Sequence, residues 1–137
     1  MRLAIIGSRD FVDFKMAEDV FFRHFYSIYH IHKQSLEIIS GGCPSGGDAI
    51  GKALALKYKL NYIEFPAKWE DLTLKPCIIK KNSAGREYNA LAGFNRNRDI
   101  IENCDFVLAF WQNQSKGTAN SLKIAKGLKK PTMIIYF

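Results

Sequence analysis

The chain has 137 residues, 47% of them hydrophobic and 24% charged, a balance that fits one folded domain over 1–137 with a real core and excludes long disorder. Its 20 basic and 13 acidic residues leave a net charge of +7, which favours anionic partners without choosing among a nucleotide, a nucleic acid and plain solubility. No apolar run approaches the roughly 18 residues needed to span a bilayer, and the apolar start is too short for a signal peptide, so a cytoplasmic protein with no membrane partner is expected.

A first strand is predicted over 3–6, ended by Gly7. Met16, Val20, Phe21, Phe25 and Ile28 recur at helical spacing and predict an amphipathic helix over 16–28. A second strand over 36–39 runs into a glycine loop, and a helix follows over 49–59. A third strand over 61–65 is stopped by Pro66. The stretch 67–92 has little pattern beyond a weak helical hint over 86–91; long loops in compact domains are often functional. A helix over 94–104, a fourth strand over 106–111, a second glycine loop, a helix over 119–127 and a fifth strand over 131–136 complete the chain. Strands that read as unbroken apolar runs, alternating with helices, predict an α/β fold: a Rossmann-like three-layer α/β/α sandwich on a mainly parallel sheet of about five strands. Ligands of such sheets bind beyond the carboxyl ends of the strands.

Both glycine loops fall at that edge. In the first, Gly41, Gly42, Gly46 and Gly47 allow close backbone approach, Ser45 offers a hydroxyl, and the loop can nest an anion; the same residues also suit a tight turn with Ser45 or Asp48 as helix cap. Asp48 would repel a phosphate, so it is assigned either to a sugar hydroxyl or to the cap. In the second loop Ser115 and Thr118 can donate to a phosphate and Gly117 clears the approach, against the plainer reading of a capped helix start. Gly7, Ser8 and Arg9 end the first strand where a ligand would lie, although Arg9 and Asp10 equally suit a mutual ion pair. Arg96 and Arg98 sit at a helix start, where cations oppose the helix dipole and a bound anion would explain them. Trp69 suits base stacking or, more simply, covering the core. The histidines His24, His30 and His32 share one segment without ligand neighbours, and Cys43, Cys77 and Cys104 are scattered, so reduced thiols and neither metal nor cofactor are expected.

Taken in order, Gly7-Ser8-Arg9-Asp10-Phe11, the loop Ser40 to Ala49, Phe65-Pro66-Ala67-Lys68-Trp69, Ala92 to Arg98, and Ala109 to Thr118 resemble the SLOG superfamily. The match is to its small stand-alone branch, called YspA or cpYpsA-related, and covers nearly the whole chain. The superfamily also holds the LOG phosphoribohydrolases and the DNA-processing protein DprA. The resemblance implies a Rossmann-like domain that binds a nucleotide or nucleotide-derived ligand, with pairing into homodimers as in LOG-like proteins. Arg96 falls at the position similar to the LOG catalytic arginine, whereas the LOG glutamate position is Ser121, so N-glycosidic or phosphate-ester hydrolysis stays open. Lys68 and Phe94 also depart from the branch, which often has aspartate and proline there. The alternative function is a DprA-like nucleic-acid binding module, supported by the net charge and by Lys80, Lys81, Lys126, Lys129 and Lys130.

Overall fold

The computed structural model describes residues 1–32, 35–112 and 114–137. Five strands, β1 (Arg2–Gly7), β2 (Glu37–Ser40), β3 (Asn61–Glu64), β6 (Phe106–Trp111) and β7 (Thr132–Tyr136), form one sheet in the order β3-β2-β1-β6-β7. Every pairing in it is parallel. The fold is thus α/β with helices on both faces, as the apolar strand runs predict. The chain order reverses between β1 and β6, and this topological switch point is where such sheets open a crevice beyond their carboxyl ends.

Side chains alternate across the sheet and build two cores. Leu3, Ile5, Ile38, Leu108 and Phe110 face one layer, where they meet Phe21, Phe25 and Leu54. Ala4, Ile6, Ile39, Val107 and Ala109 face the other, where they meet Ile100, Ile101 and Ala125. The first layer consists of α1 (Phe14–Phe21), a π-helical turn (Phe22–Tyr26), α2 (Ser27–Ile31) and α3 (Gly46–Lys57); the second consists of α4 (Ala92–Glu102) and α5 (Lys116–Gly127). Asp13 caps α1, accepting a hydrogen bond from Met16 N–H at 3.0 Å. The predicted helix over 16–28 is therefore longer at both ends and carries a π-helical turn in its middle.

Other elements also differ from the sequence reading. α3 begins at Gly46 instead of 49, and α5 at Lys116 instead of 119. The helical hint over 86–91 is overturned: β4 (Ile79–Lys81) and β5 (Glu87–Asn89) form an antiparallel hairpin. Its turn is set by Asn82, whose Oδ1 accepts from Ala84 N–H and Arg86 N–H at 3.0 Å each, and by Gly85 at φ +78°. Asn89 N–H donates to the carbonyl of Trp69 at 2.7 Å, tying the hairpin to the segment after β3.

Candidate functional site

The switch-point crevice is a cleft of about 570 Å³. Its walls come from the tip of β1 (Gly7 to Asp10), the start of α4 (Gly93 to Asn97) and the start of α5 (Ser115 to Thr118), with Trp69 on the rim. Local chemistry explains each wall. Ser8, only 3% exposed, stitches the tips of β1 and β6: its N–H donates to Phe110 O at 2.9 Å, and its Oγ accepts from Gln112 N–H at 3.1 Å. Arg9 and Asp10 both line the cleft and are solvent-exposed, and they form no ion pair with each other. The sequence alternative in which the two neutralise one another is thereby removed.

The start of α5 is the open side of the cleft. Ser115 is the N-cap, yet its side chain accepts no hydrogen bond from the helix, and the first turn holds no acidic residue. Instead Ser115 Oγ donates to Thr118 Oγ1 at 3.1 Å. The first-turn N–H groups of a helix have no partner within it. A Cβ added at Gly117 would meet nothing within 4 Å, so an anion can approach the backbone there. Ser121 is 4% exposed and lines the same cleft.

The first glycine loop is organised differently. Only Cys43 and Asp48 of this loop reach the cleft; Gly41, Gly42, Ser45, Gly46 and Gly47 do not line it. The glycines serve close packing within the protein. A Cβ on Gly46, at φ +71°, would collide with Ser8 O and Arg9 Cα, and one on Gly47 with the backbone of Ile6 and Gly7. A Cβ on Gly42, at φ +78°, would strike the Glu64 side chain, and one on Gly41 the Arg96 guanidinium and Asp48 Oδ2. Asp48 caps no helix. Its Oδ2 reaches back and accepts from Cys43 N–H at 3.2 Å, so the loop closes on the protein's own carboxyl group. The anion nest expected of the first loop does not face the cleft; the second loop opens to the cleft and the first closes on Asp48.

Burial raises the Asp48 pKa above its ordinary value of 3.8, opposed by the Cys43 amide and the Arg96 charge. A carboxyl raised in the folded state contributes stability that is fully present below its unfolded pKa and is lost as pH rises through the folded one. Asp48→Asn removes the titration. The stability of the native protein minus that of the variant is therefore expected to be greater below pH 3.8 than at pH 7, as read by urea unfolding at each pH. A difference that does not change with pH would show that Asp48 titrates normally.

The two arginines at the start of α4 part company. Arg96 turns inward, donating from Nη1 to Gly41 O at 2.6 Å and from Nε to Asn97 Oδ1 at 3.2 Å. Asn97 Nδ2 in turn reaches Gly117 O and Asn120 Oδ1 at 3.3 Å each. A chain of side chains therefore joins the first loop to the start of α5. Arg98 is a correction: it points away from the cleft and pairs with Glu102 at 3.2 Å, one helical turn on. Sequence reasoning passed over Asn97 and Phe94, both of which line the cleft; their place beside Arg96 was the available signal. Trp69 is likewise not a core cover. It is 45% exposed, stands edge-on to Tyr88 with ring centroids 6.4 Å apart, and lies over Gly93.

His24, His30 and His32 lie exposed on the first helical stretch. Among the described residues no group of three His, Cys, Asp or Glu side chains is placed to hold a metal, and no helix is long and apolar enough to cross a membrane.

No protein-family model and no curated protein matches the sequence. Among solved structures the chain is similar to DNA processing protein A from Helicobacter pylori, a protein described for its unique single-stranded DNA binding mode, with a TM-score of 0.65 and 19% identity. The match covers 98% of this chain and 64% of that one, so the chain spans somewhat less than two thirds of that structure. At this identity the likeness is one of fold, a Rossmann-like α/β domain.

Proposed function

We propose that the cleft binds a nucleotide unit, with its phosphate against the first turn of α5 and Arg9 and its base against the rings of Trp69 and Phe94. The observation that carries this reading is the uncapped start of α5, open at Gly117, facing a cleft that two partly exposed aromatic rings also line. Helix starts of this kind favour phosphate, and exposed rings stack on any base. The finer family placement, a stand-alone SLOG domain of the YspA type, is part of the same proposal.

A nucleotide unit comes either in a strand or free. Single-stranded nucleic acid is the reading we favour, because the similar solved structure is that of a protein that binds single-stranded DNA and the chain carries a net charge of +7. The second reading, a free nucleotide, is supported by the size of the cleft, about 570 Å³, which falls in the usual range for small-ligand sites. Binding is proposed without hydrolysis. A hydroxyl at Ser121 cannot steady an oxocarbenium ion as a carboxylate does, and Asp48 is engaged by its own loop.

Gly117→Asp tests the cleft. Aspartate suits the first turn of a helix, so the variant is expected to keep its melting temperature. Its carboxylate would occupy the anion position, and binding of a fluorescent thymidine oligonucleotide is expected to weaken by at least about tenfold, which is about 1.4 kcal/mol. Unchanged oligonucleotide affinity in Gly117→Asp would refute this use of the cleft. Stabilisation by a mononucleotide, with no oligonucleotide binding by the native protein, would select the second reading.

A further inference from the structure

Beside the cleft, on the outer side of α4, runs a second groove of about 670 Å³ between α4, α5 and the segment 66–76. The two depressions differ in charge. The cleft is lined by Arg9 and Arg96 against Asp10 and Asp48. The groove is lined by Lys68, Lys75, Arg96, Arg98 and Lys123 against Asp99 alone. Arg96 is committed to Gly41 O and Arg98 to Glu102, but Lys68, Lys75 and Lys123 are exposed and form no ion pair among the described residues. Their positions are anchored: Asn95 Nδ2 on α4 donates to Pro76 O at 3.1 Å and holds the 66–76 segment against the helix. Phe94 and Arg96 line both depressions, and the Phe94 ring is 43% exposed where they meet.

Three unpaired ammonium groups along one groove, joined by an exposed ring to a cleft of balanced charge, suit a ligand that carries several regularly spaced negative charges and a flat apolar group. We infer that the groove carries the phosphodiester backbone of a single-stranded nucleic acid whose terminal or looped nucleotide occupies the cleft, with a base stacked on Phe94 at the junction. This inference rests on the cleft reading and extends it from one nucleotide to a track of several. Lys68 and Phe94 thereby gain a role as departures from the family pattern: one supplies charge to the groove, the other the ring that links it to the cleft.

The experiment compares the native protein, Gly117→Asp, and a triple variant with Lys68, Lys75 and Lys123 each replaced by alanine. The probes are a fluorescent oligothymidylate of about ten nucleotides, a common site size for such binding, and thymidine monophosphate. All three lysines are exposed, so the triple variant is expected to melt as the native protein does. It should bind the oligonucleotide at least tenfold more weakly at low salt. The slope of log affinity against log salt should shrink by about 2, since each lost phosphate contact on a single strand removes about 0.7. Mononucleotide binding should be unaffected. Native affinity and native salt slope in the triple variant would overturn the groove and leave the cleft reading standing. Native oligonucleotide affinity in Gly117→Asp, with the triple variant impaired, would instead sink the cleft reading and with it the shared track.

Discussion

Gly47→Ala is expected to cost more than about 3 kcal/mol of stability, a large part of the usual margin of about 5–15 kcal/mol for a domain. The new methyl would lie 2.5 Å from Gly7 Cα and from the carbonyl carbon of Ile6, and closer still to Gly7 N. These are backbone atoms of β1, the central strand, held on one side by β2 and on the other by β6. No rotamer change relieves such a contact; either α3 lifts off the sheet or β1 parts from its neighbours, and overpacking of this kind is costly even against softer surroundings. Gly51→Ala, one turn along α3, is the control. Its methyl would come 3.1 Å from Ile5 Cβ, only a few tenths of an ångström short of ordinary contact, and a much smaller loss is expected. Urea unfolding midpoints of the two variants measure the difference. A Gly47→Ala protein within about 0.5 kcal/mol of the native one, the usual range for harmless surface changes, would refute the close approach.

Arg96→Met is expected to cost about 2–3 kcal/mol at neutral pH, the range for leaving buried polar groups without their charged partner. Methionine keeps much of the side-chain volume but loses the 2.6 Å bond to Gly41 O and the cation beside Asp48. The arginine lowers the Asp48 pKa, so its removal should raise it further. With the carboxylate ionised in the native state, the loss is largest. As pH falls toward 3.8 Asp48 becomes protonated in both proteins, and the gap in stability should narrow. Unfolding free energies measured from pH 7 down to pH 4 test the sign. A gap that widens on acidification would show that Arg96 acts on something other than Asp48.

The layout of the sheet was legible because burial on both faces writes each strand as an apolar run; Leu3-Ala4-Ile5-Ile6 and Val107-Leu108-Ala109-Phe110 are buried along their length. The hairpin was not legible. Its strands are three residues each, and Ile79-Lys80-Lys81 is exposed throughout, so neither length nor alternation marks it. The start of α3 was placed late because two glycines argue against helix by propensity, whereas here their lack of a Cβ is what lets the helix touch β1. The same ambiguity governed the site. A glycine-rich loop reports that something must come close, but sequence does not tell a phosphate from the protein's own backbone. At Gly117 the space is open; at Gly46 and Gly47 it is filled by the tip of β1. Arg96 and Arg98 are two residues apart on a helix and so point to different sides, which separates the inward one from the one that pairs with Glu102.

The pairing of β1 with β6 has a consequence for how the protein is made. Leu3 aligns with Phe106 and Gly7 with Phe110, and Arg2 N–H is bonded to Asp105 Oδ2 across 103 positions of sequence. Contacts so distant along a chain close slowly, because the loop entropy is lost before the strand pairing compensates it. Until β6 emerges from the ribosome, β1 presents a bare apolar edge, the kind of surface that recruits other nascent chains. The cleft has no α5 wall before that moment either. A ligand that spans the two walls would bind only the finished molecule, and would draw the last step of assembly forward by mass action.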